Sequence, residues 1–518
     1  MSSEMELSTD ELLESIGSFG RYQILLNVFC NLAYMFWWGI PVMVMVFIAS
    51  DPGWKCKNNA TCPFTETIRL GDDNYSYRCD IPRKDWEFGN DFTSVVTEFE
   101  LVCKRGSFGF ISTSVIFLGF FIGSIFVSSI SDKFGRKYPL FICGFLCCAF
   151  NFASAFAPSF WVFALCRGIT GFMIGAFSIP VFVLATEFSG IRHRSTAGSL
   201  IWLGFVAAIV SLAGMAYFIR DWRKLTVLSG APGILLVPCW LSTPESFRWY
   251  LKKGRVIEAR KVLCNVAKVN GKKMPDVILK LPNDEKKERL GDFRDLFSSA
   301  KMTHKTLASW LMWFTASFIS WGISFSAPFL GGNVYLNISI SALATLPAYP
   351  ISAGLTLKIG RRKMVSASFL GGAVGTVGAL LLSDLAENDK GYLAAKIFMY
   401  MFVAKLSGDI AFTLVYIYSA ELFPTTVRTV AMGTSSAAAR TSAFASVYAP
   451  LLLTVNRYLP FGIMGGLSLV TAIVCMTLPE TRNEPTIEDL HPGDGTENDD
   501  ENGDEYSALV NETRNSNA

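Results

Sequence analysis

Charged residues are scarce in this sequence, and histidine is scarcer still. Of 518 residues only 17% are charged and three are histidine, whereas 51% are hydrophobic and 14% are aromatic. Such a balance exceeds what a soluble core needs and predicts a membrane protein. The formal net charge is only +3, and we find no long basic tract outside the short loops between apolar stretches. Nucleic acid is therefore not an expected partner.

Residue patterns typical of catalysis are also missing. His193, His304 and His491 all fall in stretches predicted to lie in the cytosol, and we find neither a phosphate-binding loop nor a nucleophile elbow. No cysteine spacing is typical of a metal site. We therefore expect no enzyme activity, no cofactor and no bound metal.

The chain lacks the basic start of a secretory signal peptide as well. Residues 1–20, MSSEMELSTDELLESIGSFG, carry five acidic side chains before any apolar run begins. We expect this segment to be retained and to lie in the cytosol.

Long apolar runs are abundant instead. A membrane helix needs about 20 mostly apolar residues, and about twelve stretches reach that length. They are too long, and alternate too little, to be membrane strands. We predict an all-α membrane protein, embedded in a lipid bilayer. The predicted helices cover 21–48, 108–130, 138–157, 160–186, 197–219, 225–241, 305–327, 334–356, 364–383, 391–418, 428–453 and 458–477.

Basic residues in the short loops set the expected orientation. Because Lys and Arg concentrate in cytosolic loops, the loops that hold them are predicted to face the cytosol, together with both termini. One loop, RDWRK at 220–224, is basic on the predicted outer face and is an exception. The residues that carry the argument are Lys133, Arg136, Lys137, Arg192, Arg194, Lys358, Arg361, Arg362 and Lys363.

The predicted extracellular loop, 49–107, contains the residues expected of an oxidising exterior. It carries sequons at Asn59 and Asn74, which we predict to be glycosylated. Four cysteines allow three disulfide pairings, and the sequence does not choose among them. These cysteines are Cys56, Cys62, Cys79 and Cys103.

The second half of the chain repeats features of the first. ISDKFGRKYPL at 130–140 is matched by GLTLKIGRRKM at 354–364, and TPES at 243–246 is matched by LPET at 478–481. These pairs lie roughly 225 to 235 residues apart, which indicates duplication. We predict two six-helix halves that face each other across a cavity. The segments are a first half over 21–241, a charged cytosolic linker over 242–304, a second half over 305–477, and an acidic, disordered cytosolic tail over 478–518.

The charged loop at 128–137 resembles the signature between the second and third helices of major facilitator transporters. Ser128 stands where that signature usually begins with Gly, and the second copy has Lys358 where many members carry Asp. The resemblance implies a latch that stabilises one access state; the alternative is that the charges only enforce topology. The implied gating residues are Asp132, Gly135, Arg136, Glu187, Arg194, Gly360, Arg361, Glu421 and Arg428.

Finer motifs resemble solute carrier family 22, which comprises transporters of organic cations, anions and zwitterions. YFIRDWRKL, STPESFRWYLKKGR, VYIYSAELFPTTVR and the large outer loop all look like that family, although Phe247 replaces its usual Pro. The resemblance implies transport of a small organic ion by alternating access at the plasma membrane. A sugar or neutral-solute porter, or a receptor that no longer transports, is the alternative.

Four charged residues in the interior of predicted helices stand out: Arg167, Lys405, Asp409 and Arg440. A charge at the centre of a membrane helix costs about 2.5 to 3.5 kcal/mol on insertion scales, so each is a functional candidate. Lys405 and Asp409 are four residues apart and can also neutralise one another. We expect Arg167 to organise helix packing, because small residues surround it, and Arg440 to bind substrate.

The family resemblance sharpens the expectation for Arg440. Cation-preferring members carry Asp at that position and Glu at that of Thr345, whereas anion and carnitine-like members carry Arg at the former. A carboxylate on the substrate is then the simplest counter-ion. Trp313 and Trp321 fall at aromatic positions of the family, where a ring could hold an onium group. Co-transport of sodium or a proton leaves no pattern that we can read.

Overall fold

Twelve helical segments follow one another along the chain. The computed structural model describes residues 9–57, 74–190, 193–275 and 292–482, with short pieces at 6–7, 64, 66–70, 72 and 278–279. The segments are α1 (Arg21–Ile48), α2 (Phe108–Phe134), α3 (Lys137–Ser154), α4 (Phe160–Glu187), α5 (Arg194–Leu200 and Trp202–Phe218), α6 (Trp222–Ile234), α7 (Ala300–Ser326), α8 (Val334–Thr345 and Ala348–Ile359), α9 (Arg361–Leu381), α10 (Lys390–Leu422), α11 (Thr425–Ser446) and α12 (Leu459–Met476).

The segments differ in how apolar they are. Within the described residues, nine helices are long and apolar enough to cross a membrane. The remaining three segments are α6, which is short, and α7 and α11, which contain many Ser and Thr residues. A helix with this many hydroxyl groups is expected to bury them against protein rather than lipid.

Close helix packing within the first half depends on small residues. Gly171 of α4 lies directly on α2, where an added Cβ would sit 2.1 Å from the backbone oxygen of Ile116. Gly175, one turn further on, would meet the oxygen of Phe120 at the same distance. These glycines let the two backbones approach, as in membrane helices that pack through small residues.

One end of the helix bundle carries the long loop between α1 and α2, and we call it the loop end. Here strands β2 (Trp54–Cys56) and β3 (Trp86–Phe88) pair antiparallel. Cys79 and Cys103 form a disulfide, and Cys56 is also disulfide-bonded. Asn74 is exposed. Asn59 and Cys62 lie outside the described residues.

The opposite end carries the segment between the two halves, and we call it the linker end. It holds three short helices, Thr9–Ile16, Phe247–Lys252 and Val256–Val269. The strands β1 (Glu6–Leu7) and β4 (Ile278–Leu279) pair there in parallel. The first of these helices is amphipathic and docks by its apolar face, because its residues Leu12, Leu13 and Ile16 are all 0% exposed.

The two halves meet at mid-span and at the loop end through aromatic side chains. Trp321 of α7 lies 5.1 Å from Phe117 of α2 and 6.1 Å from Trp38 of α1, between ring centroids. Closer to the loop end, Tyr335 of α8 stacks on Phe47 at 5.9 Å. These contacts close the loop end of the molecule.

The structure differs from the sequence-based prediction at several boundaries. The helix predicted over 225–241 ends at Ile234, and the helix predicted over 428–453 ends at Ser446. The predicted helix 334–356 is broken after Thr345, since Pro347 has no N–H to continue the helix. The tail, expected to be disordered from 478, begins with ordered residues: Leu478 is 1% exposed, and the Glu480 carboxylate binds backbone N–H groups of α9. Residues 483–518 lie outside the described part.

The sequon positions give a direct test of which loops are extracellular. We expect Asn74→Gln to increase gel mobility, because Asn74 is exposed in the loop. Asn337 also lies in a sequon, but it is 1% exposed and its amide donates to the oxygen of Gly331. Asn337→Gln should therefore leave mobility unchanged. Equal mobility of Asn74→Gln and the parent chain, before and after glycosidase treatment, would contradict glycosylation of Asn74.

Candidate substrate site and gating networks

Arg440 lies on α11 at the contact between the two halves. Its guanidinium carbon sits 5.4 Å from the ring centroid of Phe120, which belongs to α2 of the other half. One terminal nitrogen donates to Ser436, whereas Nε has no partner. Among the described residues no carboxylate lies within ion-pair distance of Arg440, and its side chain is half-buried. An unpaired cation that remains accessible can bind an anion.

Lys405 and Asp409 of α10 pair with each other. Their charged atoms lie 3.2 Å apart, and the side chains are 6% and 12% exposed. Asp409 also accepts hydrogen bonds from the hydroxyls of Ser320, at 2.7 Å, and Thr345, at 2.6 Å. Lys405 donates to the backbone oxygen of Ser320 at 3.0 Å. With both carboxylate oxygens occupied, Asp409 has little capacity left for a ligand.

The two tryptophans predicted to hold substrate lie in different surroundings. Trp313 is 1% exposed, packs 4.1 Å from Tyr416 and donates its indole N–H to Ser419. Trp321 is half-buried and lies among rings from both halves. Only Trp321 therefore offers an accessible face.

A group of aromatic side chains extends from Trp321 to Arg440. Trp38 contacts Trp321 at 6.1 Å and Phe120 at 6.4 Å, and Phe120 in turn lies beneath Arg440. We call this group the central aromatic wall; it consists of Tyr34, Trp38, Phe120, Trp202 and Trp321. Tyr416 approaches both Tyr34 and Arg440 closely enough to interact electrostatically. Apolar faces next to one cation can recognise an amphipathic anion or a zwitterion.

Arg167 lies inside the first half and not at the interface. It is 0% exposed, donates to Asn151 at 2.5 Å, and lies 5.3 Å from the ring of Phe163. Asn151 donates in turn to Ser229, so the group connects α3, α4 and α6. Two guanidinium nitrogens of Arg167 have no partner. Its complete burial keeps a substrate away from it.

At the linker end of the first half, one carboxylate binds the start of α3. Glu245 accepts hydrogen bonds from the backbone N–H groups of Arg136, at 2.7 Å, and Lys137, at 3.1 Å. Gly135 precedes them with φ 98°, in the left-handed region. The side chain of Arg136 lies 3.6 Å from Glu187 at the end of α4. The negative charge of Glu245 also suits the positive end of the helix dipole.

The second half repeats this arrangement with different residues. Glu480 accepts from the N–H of Arg361 at 2.8 Å, next to Gly360 with φ 97°. Arg361 pairs with Glu421 at 3.2 Å, and Glu421 accepts from Thr481. Partial burial raises the pKa of Glu480, but the backbone hydrogen bonds outweigh it and hold that pKa below its ordinary value. The duplication seen in the sequence is therefore a duplication of one charged network.

Two predicted gating residues have other surroundings, and the side chain of a third lies outside the described part. Arg194 pairs with Asp10 of the N-terminal helix at 3.0 Å and not with Glu187. Arg428 donates to the backbone oxygen of Phe423 at 3.4 Å. Asp132 lies within α2, and its side chain is outside the described part of the structure.

Asp10 connects the N-terminal helix to the same network. It binds Arg248 as well as Arg194, and Arg248 donates to the backbone oxygen of Glu187 at 3.1 Å. Asn270 adds a second connection, because its carbonyl accepts from the N–H of Tyr22 at 2.8 Å. These contacts attach the N-terminal helix and the first part of the linker to the first half, whereas the end of the linker packs on the second half, where Phe293 lies 6.4 Å from Trp310.

Sequence reasoning missed the residues at the centre of these networks. Glu245 and Glu480 were recognised as part of a repeated motif but not as partners of the repeated glycines. The available signal was that each acid follows the charged loop of its own half within a matched motif, TPES or LPET. Asp10 gave no signal of its own, because its partners are more than a hundred residues away.

Comparison with known proteins agrees with this architecture. The profile of the "Sugar (and other) transporter" family matches residues 108–490. A solved xylose transporter, XylE from E. coli in an inward open conformation, superposes with a TM-score of 0.64 at 15% identity, over 90% of this chain and 98% of its own. The fold is that of major facilitator transporters.

Sequence relatives narrow the class. The organic cation/carnitine transporter 2 of Homo sapiens is 36% identical over 77% of this chain and 72% of its own. The organic cation/carnitine transporter 4 of Arabidopsis thaliana is 31% identical over 94% of this chain and 91% of its own. Solute carrier family 22 member 15 of Xenopus tropicalis is 31% identical over 93% and 90%. The chain belongs to solute carrier family 22 of the major facilitator superfamily.

The contact between Gly135 and Glu245 predicts a stability effect. A Cβ at Gly135 would lie 2.1 Å from the Glu245 carboxylate, in a backbone conformation that alanine disfavours. We expect Gly135→Ala to lower stability by more than about 1 kcal/mol, measured by thermal unfolding of the purified protein. Gly214→Ala is the control, since nothing lies within 4 Å of its added methyl group. Equal melting temperatures for the two variants would be evidence against this packing.

The attachment of the N-terminal helix predicts a local change. Asp10→Asn removes the charge that Arg194 and Arg248 share, so we expect faster hydrogen exchange and proteolysis across Thr9–Ile16, with little change in the membrane helices. Glu14→Gln changes an exposed charge on the same helix and should have no such effect. The same exchange rate in both variants would mean that Asp10 does not hold the helix.

Proposed function

We propose that the protein transports small organic ions that carry a carboxylate, either zwitterions such as carnitine or ergothioneine or organic anions, by alternating access at the plasma membrane. Arg440 is the observation that carries this proposal. It lies between the two halves, half-buried and without an acidic partner among the described residues. A substrate carboxylate would supply the missing counter-charge through a charge-assisted pair.

The protein group that would bind a positive group on the substrate is found by elimination among the predicted site residues. Asp409 is neutralised by Lys405 and bound by two hydroxyls, and Trp313 is buried. The central aromatic wall is left, and three of its members, Phe120, Trp202 and Trp321, are only half-buried. An onium group would bind there through a cation–π interaction, typically worth about 0.5 to 2 kcal/mol. A zwitterion would thus span the distance between Arg440 and the wall.

The charged networks at the linker end fit a role in gating. Both ion pairs, Arg136 with Glu187 and Arg361 with Glu421, lie within their own halves while the loop end is closed. We assign the loop end to the outside and the linker end, with both termini, to the cytosol. The described state then faces the cytosol, and substrate leaves between the two networks.

A neutral-solute porter is the competing function. The solved xylose transporters share the fold, but they are 15% identical or less and carry no argument about substrate. In a site for a neutral sugar, the free-energy cost of an unpaired arginine inside the membrane would not be offset by binding a negatively charged substrate. A receptor that does not transport is distinguished by uptake alone.

Uptake by Arg440 variants tests the proposal. Arg440→Lys keeps the charge but loses the planar fork, so carboxylate-bearing substrates should lose about tenfold in kcat/KM, and Arg440→Ala should lose more. Labelled carnitine, ergothioneine, an aromatic anion, tetraethylammonium and glucose are compared at matched surface expression. Tetraethylammonium, which has no carboxylate, should be affected least.

The control is Arg457→Ala, which removes an arginine outside the helices, where it pairs with Glu387. It should leave uptake unchanged. Equal losses of carnitine and tetraethylammonium uptake in Arg440→Ala would reassign Arg440 to helix packing. Uptake of glucose alone would replace the proposal with the neutral-solute function.

A further inference from the structure

A cavity of ≈ 240 Å³ lies at the loop end of the molecule. Three parts of the chain form its walls: the long loop with Asp51 and Asp91, the turn between α5 and α6 with Arg220, and the start of α8 with Tyr335. It is separate from Arg440, which does not line it. None of the roles described above involves this cavity.

Hydrogen bonds fix the wall that carries Arg220. The backbone oxygen of Arg220 accepts from the N–H of Thr93 at 2.8 Å, and the N–H of Trp222 donates to the Thr93 hydroxyl at 3.1 Å. The indole N–H of Trp222 donates to Glu98 at 2.7 Å. The loop and the turn therefore form one preorganised surface, which lowers the entropy cost of binding a ligand.

Both halves contribute to the cavity. Tyr335 of the second half stacks on Phe47 at 5.9 Å and meets Tyr217 edge-on at 5.5 Å, and both of these belong to the first half. Beneath them the seam between the halves is filled, with a remaining void of only ≈ 10 Å³. Separation of the halves at the loop end would pull the walls apart. The cavity exists only while the loop end is closed.

Two acids and two arginines line the cavity, and because Arg78, which lies outside the lining, pairs with Asp51, one lining cation is left without an acidic partner. Asp51 pairs with Arg78 at 2.8 Å and Asp91 pairs with Arg69 at 2.9 Å. Arg220 is exposed and has no acidic partner within ion-pair distance among the described residues. The rings of Trp222 and Tyr335 line the same space. A ligand that complements this surface is a small organic anion with an apolar or aromatic body.

We infer that this cavity is a second binding site, specific for aromatic or aliphatic carboxylates, and that a ligand bound there holds the loop end closed. A ligand shifts an equilibrium toward the state that binds it better, and here the open state has no site. Occupancy therefore inhibits transport without competing for Arg440. Binding itself does not depend on whether the protein transports.

Direct binding to the purified full chain tests the site. The probe is radiolabelled 4-phenylbutyrate, with 4-phenylbutylamine as the matched cation that should not compete. We expect Arg220→Gln to weaken one binding component by at least about tenfold, as loss of a charge-assisted hydrogen bond would. Lys224→Gln, which removes an exposed charge from the same turn but outside the cavity, should bind as the parent does.

Two further variants separate this site from the central one. Arg440→Gln should keep the Arg220-dependent component. Val334→Trp fills the cavity without altering its charge and should abolish that component, which covers the case in which Arg220→Gln does not fold. Unchanged binding in both Arg220→Gln and Val334→Trp, or loss of all binding in Arg440→Gln, would overturn the inference.

The conformational part of the inference has its own measurement. Ile338 lies in the seam beneath the cavity and is 5% exposed, so a cysteine placed there reacts with a membrane-impermeant maleimide only when the loop end opens. In an Arg440→Gln background, 4-phenylbutyrate should slow the alkylation of Ile338→Cys several-fold, and adding Arg220→Gln should remove that protection. An unchanged or faster rate would show that the ligand does not favour the closed state.

Discussion

The cost of an ionised side chain inside a membrane helix constrains this molecule more than any other interaction. At roughly 2.5 to 3.5 kcal/mol each, such residues persist only where a partner, water or a function compensates them. Lys405 and Asp409 compensate each other at 3.2 Å. Arg167 is enclosed by Asn151 and Phe163. Arg440 is both unpaired and accessible, and the substrate preference proposed here follows from that difference.

A second constraint acts at the linker end, where the first N–H groups of α3 and α9 have no partner inside their own helix. In each half a glycine with positive φ brings a distant carboxylate onto the first N–H groups, Glu245 on α3 and Glu480 on α9. The arginine that follows the glycine forms an ion pair with a glutamate near the end of another helix of the same half. Arg136 pairs with Glu187 of α4, and Arg361 pairs with Glu421 of α10. Asp10 binds the first network only. The two otherwise equivalent halves are therefore restrained differently at this end.

The sequence was most informative where a single physical rule dominates. Apolar length agrees with nine of the described segments, which are long and apolar enough to cross the hydrocarbon layer, whereas α6, α7 and α11 are shorter or more polar. It was least informative where a partner lies far away in the chain. The pairing of Arg194 with Asp10, and the difference between buried Trp313 and accessible Trp321, depend on how helices rotate against one another. Helical periodicity places such side chains on a face but does not say what that face meets.

The contacts that hold the loop end closed are of a kind that a transporter can break. The rings at the interface, among them Trp321 with Phe117 and Tyr335 with Phe47, contribute about 0.5 to 1.5 kcal/mol per pair beyond the area they bury. The ion pairs at the linker end, Arg136 with Glu187 and Arg361 with Glu421, in contrast, each lie within one half. Opening the loop end would then separate mainly apolar surfaces and leave both of these ion pairs intact. Under the alternating access proposed above, a ligand that binds one state more tightly, at Arg440 or at Arg220, would shift the equilibrium between the two states by its differential affinity.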